Sequence, residues 1–149
     1  MSLELTVMGD MKAAMLSKNE ASLRALRAIK SAILIAKTAE GKTGELTEED
    51  ETKLLQKLAK QRKDSLEIFV TQNREDLAQK EREELEVIEK FLPTQMNESE
   101  LRTSLQEIIT QLAASGPGDM GKVMGAATKQ LAGKADGKMI SALVKELLA

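Results

Sequence analysis

Glycine and lysine residues that could hold a phosphate are concentrated in the last quarter of the chain. Six of the nine glycines lie between Ser115 and Lys138, at Gly116, Gly118, Gly121, Gly125, Gly133 and Gly137. Lysines accompany them at Lys122, Lys129, Lys134, Lys138 and Lys145. Glycine lets a backbone approach a ligand closely, and a lysine ammonium contacts phosphate. The pattern by itself does not decide between two interpretations, and one of them is an anion-binding surface. The alternative is a solvated helix face with extended lysine side chains.

Two helices are expected to position these lysines. The cluster Gly116–Gly118 contains Pro117 and predicts a break. Asp119 is then expected to cap a helix that runs to Ala132, with Gly133 as the residue after its end. A second helix, capped by Asp136, is expected to continue toward the end of the sequence.

The spacing of the lysines predicts that they share helix faces. Residues seven apart project from one side of an α-helix, opposite an apolar stripe in both predicted helices. The pairs with this spacing are Lys122 with Lys129 and Lys138 with Lys145. Gly121 and Gly125 are four residues apart, so we also expect them to allow close helix packing.

Composition argues against most kinds of catalytic site. The chain has no Cys and no His, so it lacks a thiolate nucleophile and the commonest general base and metal ligand. Its carboxylates lie in runs typical of exposed helix faces, and no catalytic residue, metal site or cofactor is predicted. Gly41–Gly44 reads GKTG, but a P-loop needs a glycine where Ala36 stands, so a turn is predicted.

Apolar periodicity and capping residues predict seven helices and no strand. Residues 1–93 are expected to form an N-terminal helical domain of about four helices, and residues 97–149 a small three-helix domain. The predicted segments are 2–17, 19–38, a helix from Glu48, 73–91, a helix capped by Asn97, and the two lysine-bearing helices. Thr47 with Asp50 has the pattern of a capping box, and Pro93 forces a break before Asn97. The fold class predicted is all-α.

Two further patterns in the N-terminal part leave alternatives open. Lys53–Lys63 is the most basic segment, and the following helix is strongly acidic, so the two could form an ion-paired hairpin or leave a basic patch free. Leu5, Met8, Met11 and Met15 keep helical spacing. We interpret this methionine stripe as adaptable core, with a partner groove as the alternative.

Several short segments resemble the YqeY family, whose C-terminal domain is similar to the tail of the GatB subunit of glutamine-dependent aminoacyl-tRNA amidotransferases. The matching segments are Asp119–Gly125 (DMGKVMG), Gly133–Gly137 (GKADG), Val144–Leu148, Lys60–Ser65 (KQRKDS), Arg74–Ala78 (REDLA) and Phe91–Pro93. They cover nearly the whole chain. They are specific for the family, but none of them is a catalytic signature.

The resemblance implies an accessory or tRNA-binding role related to these carbon–nitrogen ligases, which use glutamine as amide donor. The surface expected to contact tRNA comprises Gly116, Gly118, Gly121, Lys122, Lys129, Lys134, Lys138 and Lys145. Partners would be tRNA and an amidotransferase or aminoacyl-tRNA synthetase subunit. The alternative is a helical protein-interaction module that binds no nucleic acid. No apolar run approaches the length of a membrane span, so a cytoplasmic protein without membrane contact is expected.

Overall fold

The computed structural model describes residues 2–39, 41 and 44–149, and every regular element within these ranges is helical. These residues form seven α-helices and one 3-10 turn, Pro117–Asp119. The helices are α1 Leu3–Leu16, α2 Glu20–Thr38, α3 Glu48–Thr71, α4 Glu75–Glu89, α5 Glu98–Gln111, α6 Met120–Gln130 and α7 Gly137–Leu148. The predicted all-α class is confirmed for the described residues. The turn predicted at 41–44 includes Lys42 and Thr43, which lie outside them.

Side-chain caps begin four of the helices at the residues that the sequence predicts. The Thr47 hydroxyl accepts the Asp50 N–H at 3.1 Å, and the Asp50 carboxylate accepts the Thr47 N–H at 3.2 Å. Asn19, Asn97 and Asp136 each accept an N–H from the first turn of α2, α5 and α7. A cap of this kind stabilises a helix by about 1 kcal/mol, which explains why these starts are readable from sequence.

Contacts divide the chain into two compact units, Met1–Leu92 and Pro93–Ala149. The first contains α1–α4, and the second contains the 3-10 turn and α5–α7. Each unit has its own buried apolar cluster. That the two units are independent domains with the bounds given above stays a prediction.

In the N-terminal unit, α2 packs against both α1 and α4, while α3 packs mainly along α4. Val7, Ile29 and Ile88 are fully buried where these helices meet. The predicted methionine stripe of α1 is core only in part. Met11 packs against the buried cluster, whereas Leu5, Met8 and Met15 are exposed, and α1 buries Leu3, Val7 and Ala14. The interpretation of those three residues as core was wrong because α1 has apolar residues on two sides, and the spacing of the stripe follows the outer side.

The basic α3 and the acidic α4 form an ion-paired hairpin, as one of the two sequence interpretations predicts. The Arg62 Nε atom lies 3.4 Å from Glu84 Oε2 and 4.0 Å from Glu81 Oε2. The Lys63 Nζ atom lies 3.7 Å from Glu89 Oε1. Part of the basic charge of α3 is therefore neutralised within the unit.

Helix α2 joins the same group of charges. Arg24 NH2 lies 2.9 Å from Glu83 Oε2, and Arg24 Nε lies 3.8 Å from Glu84 Oε1. Glu84 is thus shared by two guanidinium groups, whereas the buried Glu81 Oε2 atom has no hydrogen-bond partner among the described residues. Burial raises the pKa of Glu81, the Glu84 carboxylate raises it further, and Arg62 partly opposes the shift.

We expect Glu81→Gln to increase the free energy of unfolding at neutral pH. A carboxyl whose pKa is raised in the folded state contributes stability that is lost as pH rises through that pKa. Wild type should therefore lose stability relative to Glu81→Gln as pH rises above the ordinary glutamate value of 4.5. Urea denaturation of both proteins at pH 4 and pH 7 measures the difference.

The matched control is Glu84→Gln, one turn further along α4. It removes the closer carboxylate of Arg62 and should destabilise the unit at neutral pH, because a partly buried guanidinium is left without its nearest partner. Equal destabilisation by Glu81→Gln and Glu84→Gln would contradict the different roles assigned to the two carboxylates.

In the C-terminal unit, Leu101, Leu105, Val123 and Val144 are fully buried among α5, α6 and α7. The segment before α5 is hydrogen-bonded to the turn between α6 and α7. The Gln95 side chain donates to the Gly133 carbonyl at 2.7 Å, and the Met96 N–H donates to the Lys134 carbonyl at 2.9 Å. Gly133 has a φ of 77°, in the left-handed region expected of a residue that ends a helix.

The expected packing role of Gly121 and Gly125 is wrong. Helix α6 turns Val123 and Ala127 toward the core, which leaves both glycines on the solvent side. A Cβ atom at either glycine would meet no atom within 4 Å. Their small size therefore serves no contact within the described part of the chain.

We expect Gly125→Ala to stabilise the C-terminal unit by about 1 kcal/mol, the difference in intrinsic helix propensity between the two residues. The alanine methyl would enter open space, so no strain offsets this gain. Ala127→Gly in the same helix is the control and should destabilise, because Ala127 is fully buried. Denaturant titrations compare the variants, and a destabilised Gly125→Ala would show that this face is constrained after all.

Candidate anion-binding surface

Five lysines of the C-terminal unit form what we call the lysine surface. They are Lys122 and Lys129 on α6, Lys134 in the turn, and Lys138 and Lys145 on α7. All five are exposed. On each helix the pair lies away from the buried apolar residues, so the structure places every one of these lysines where the sequence predicts it, on the solvent side.

Acidic residues do not neutralise this surface. Asp136 is the one carboxylate between Met120 and Lys145, and its Oδ1 atom accepts the Lys138 N–H at 3.2 Å as the α7 cap. The next one, Glu146, is bound by both terminal nitrogens of Arg102, at 3.2 and 3.3 Å. The hydrogen bonds that Arg102 donates to Glu146 and Glu98 raise the pKa of Arg102. None of the five lysines forms an ion pair with any described residue.

Lys122 also has a structural contact that the sequence does not reveal. Its ammonium donates to the Leu112 carbonyl at 3.1 Å, at the end of α5. The last carbonyls of a helix lack partners within the helix, so this bond stabilises the α5 terminus. An ammonium has three donors, and Lys122 can therefore contact a ligand while it keeps this bond.

The glycine-rich turn differs from the expected helix start. The Asp119 side chain does not cap α6 but accepts the Ser115 N–H at 3.0 Å, and the Asp119 N–H donates to the Gly116 carbonyl at 3.0 Å. The 3-10 turn therefore runs directly into α6. The Ser115 and Asp119 N–H groups are hydrogen-bonded within the turn and are not available to a ligand. Because Pro117 has no N–H, the turn offers an anion few backbone donors.

The backbone is nevertheless accessible along the turn and the outer face of α6. Added Cβ atoms at Gly116, Gly118, Gly121 and Gly125 would all meet open space. A ligand lying against Lys122 or Lys129 could therefore approach α6 more closely than it could approach a helix with larger side chains. The sequence indicated the glycines, but their outward direction follows only from how α6 packs.

Other kinds of site find no support in the described part of the chain. No group of three or more Asp or Glu residues there is arranged to hold a metal ion. A groove beside α5 and α7 is open and lined by polar side chains such as Thr103, Gln106 and Thr110. None of the described helices is long and apolar enough to cross a membrane.

Three fungal relatives of this chain share the name altered inheritance of mitochondria protein 41, mitochondrial. The protein of Clavispora lusitaniae is 36% identical over 125 residues, which cover 82% of this chain and 69% of the relative. That of Pyrenophora tritici-repentis is 34% identical over 144 residues, covering 93% and 77%. That of Kluyveromyces lactis is 33% identical over 139 residues, covering 91% and 70%.

These names contradict the expected cytoplasmic location, since they place the relatives in mitochondria. The expectation was wrong because helix periodicity and composition describe how a domain folds, not the compartment in which it works. The family of Yqey-like proteins matches residues 5–148, almost the full length of the sequence. The chain therefore belongs to the YqeY family, as the resemblance of its short segments predicted.

Proposed function

We propose that this chain is an accessory module that binds tRNA through the lysine surface and works beside a glutamine-dependent aminoacyl-tRNA amidotransferase. The observation that carries the proposal is the set of five exposed lysines without ion-pair partners among the described residues. Positive charge that is not needed for folding is available to a polyanion. The relation to amidotransferases rests on the likeness between the YqeY family and the GatB tail.

The side chains available on this surface favour contacts with the nucleic-acid backbone. Lysine ammonium groups bind phosphate as point charges, and contacts of this type position a ligand without reading its sequence. The chain has no Trp or Tyr, and its two phenylalanines, Phe69 and Phe91, both lie in the N-terminal unit. Base stacking on aromatic rings is therefore not expected to contribute on this surface.

In the proposed complex, tRNA lies across Lys129, Lys134, Lys138 and Lys145, with Lys122 keeping its bond to the α5 terminus. The open backbone at Gly116, Gly118 and Gly121 lets a phosphate approach the turn. The partner enzyme would perform the amide transfer, because the sequence predicts no catalytic residue in this chain. The names of the relatives favour a mitochondrial setting for this role.

A second candidate is a protein-interaction module that binds no nucleic acid. The observation that favours it is the exposed apolar side of α1, which includes Met8 and Met15. The two functions differ in their response to salt. Phosphate contacts weaken steeply as ionic strength rises, whereas an apolar interface does not.

We expect the double variant Lys129→Ala with Lys138→Ala to bind tRNA more weakly than wild type. The slope of log affinity against log salt should become shallower by about 0.7 to 0.9 for each phosphate that the variant no longer neutralises. Lys122 is left in place, because its removal would also disturb the α5 terminus. Titrations of full-length protein with tRNA at several salt concentrations give both quantities, and circular dichroism checks that helicity is unchanged.

The control is Lys57→Ala with Lys60→Ala in α3. These lysines are also exposed and form no ion pair with any described residue, so the change in net charge is identical. The control should keep the affinity and salt slope of wild type. An equal loss of affinity in both double variants would reject the lysine surface as the site, and no tRNA binding by wild type at low salt would reject the RNA function.

A further inference from the structure

Helix α1 presents a continuous apolar side to solvent. The exposed fractions are 61% for Leu5, 49% for Met8, 54% for Met15 and 80% for Leu16. The opposite side of the same helix is buried in the N-terminal unit through Leu3, Val7 and Ala14. Exposed apolar side chains grouped on one helix face are typical of an interaction site, and the outer side of α1 has no partner among the described residues of its unit.

A glycine lies at one edge of this apolar side, next to Leu5 and Leu16. At about 100° per residue, Gly9 falls on the same side of α1 as Leu5 and Leu16. A Cβ atom at Gly9 would meet nothing within 4 Å, so the fold does not require a glycine there. In the middle of a helix glycine costs about 1 kcal/mol relative to alanine. An approaching helix would make use of the missing side chain, because small residues let two helix backbones come close together.

Exposed apolar side chains continue from α1 onto α2. The Lys37 ammonium lies 2.6 Å from the Glu4 carboxylate, which fixes the register of the two helices. Leu34 precedes Lys37 by one turn and is 61% exposed. The apolar area open to solvent is therefore wider than α1 alone.

Free positive charge accompanies this apolar area. Lys12 lies on the outer side of α1 between Met8 and Met15, and Arg27 and Lys30 are exposed on α2. None of these three cations forms an ion pair with a described residue. The surface is therefore complementary to an apolar stripe that carries negative charge.

We propose that the outer side of α1 binds an amphipathic helix of a partner protein, with apolar side chains against the α1 docking surface and an acidic residue opposite Lys12. The docking surface is formed by Leu5, Met8, Gly9, Lys12, Met15 and Leu16. The backbone of the partner helix crosses α1 at Gly9. This is the helix-in-groove mode of recognition, in which apolar anchors give affinity and flanking charges select the partner.

Two other occupants fit these observations less well. If two copies of the chain paired through α1 about a two-fold axis, that axis would pass through the midpoint of the stripe. The Lys12 side chains of the two copies would then lie close to the axis and to each other. Like charges at that point oppose such a dimer. A lipid bilayer would leave the gap at Gly9 unused and would require Lys12, in the middle of the apolar stripe, to extend back to water.

The docking surface belongs to the N-terminal unit and the lysine surface to the C-terminal unit, so each can be tested without changing the other. Two synthetic peptides of about 18 residues serve as probes, a length sufficient for helix formation. They share one leucine stripe, and their flanks carry glutamate in one peptide and lysine in the other. Fluorescence anisotropy measures the binding of each to the full chain.

We expect the glutamate peptide to bind at least about tenfold more tightly than the lysine peptide, since Lys12, Arg27 and Lys30 attract one and repel the other. Lys12→Glu should reduce or reverse this preference. Gly9→Leu should weaken binding of the glutamate peptide by about tenfold or more, because its side chain would fill the crossing point. Gly9→Ala should raise stability and weaken binding to a smaller extent, which keeps the test valid if Gly9→Leu folds poorly.

Matched controls separate the surface from general effects. Gln61→Leu adds the same kind of bulk to an exposed position of α3 and should leave peptide binding unchanged. Lys57→Glu makes the same charge change on α3 and should also leave it unchanged. Loss of binding in either control equal to that in Gly9→Leu or Lys12→Glu would overturn the proposal.

Three further results would also overturn it. The first is absence of binding by both peptides. The second is a dimer in sedimentation experiments that Gly9→Leu dissociates, which would assign the surface to a second copy. The third is binding to vesicles of phosphatidylglycerol and phosphatidylcholine that Lys12→Glu abolishes and Gly9→Leu does not, which would assign it to a membrane.

Discussion

The pairing of Arg62 with the carboxylates of α4 neutralises part of the positive charge of α3, although Lys57 and Lys60 of that helix stay exposed and form no ion pair with a described residue. Lys53–Lys63 is the most basic segment of the sequence, and by charge alone it would be the first choice for an RNA-binding surface. In the folded chain α4 lies against this helix, and Glu84 approaches Arg62 to 3.4 Å. The segment therefore uses part of its charge to hold the hairpin together. The C-terminal lysines are more widely spaced in the sequence, but they form no ion pairs with described residues. Density of charge along a sequence is thus a poor guide to charge available for binding.

Most of the secondary structure was predictable because the helix starts are local. Thr47 with Asp50, Asn19, Asn97 and Asp136 need only their own first turn to form a cap, and these four of the five predicted caps are present. Asp119 has the same type of side chain but accepts the Ser115 N–H, because the 3-10 turn brings that amide within 3.0 Å. A turn that competes with a cap for one carboxylate depends on backbone geometry that spacing alone does not encode.

The buried face of a helix could be predicted from the sequence where the helix has one apolar side. It could not be predicted where the helix has apolar residues on two sides. Helix α7 has a single stripe, and its lysines face solvent as the seven-residue spacing indicates. Helix α1 has apolar residues on both sides, so Val7 and Met8 compete for the core and only packing against α2 decides between them. The contact of Lys122 with the Leu112 carbonyl, and the outward direction of Gly125, are likewise tertiary results. The exposure of the lysines could thus be predicted from helix periodicity. The absence of ion pairs to described residues could be seen only in the folded structure.

The near-neutral charge of the chain does not oppose binding to a polyanion, because charges are sorted by helix. In the C-terminal unit Glu98, Glu100 and Glu107 lie on α5, whereas the five lysines lie on α6, α7 and the turn between them. Glu146 on α7 is the exception, and Arg102 of α5 pairs with it. At physiological ionic strength the field of an exposed charge decays over about 8 Å, so a ligand responds to the helices it touches rather than to the sum over the molecule. The same argument applies to α1, where Lys12 lies within an apolar stripe and forms no ion pair with a described residue. The two proposed surfaces would differ in their response to salt, because phosphate contacts weaken as ionic strength rises and apolar contacts do not. An accessory protein that holds RNA and a partner at once would need this difference.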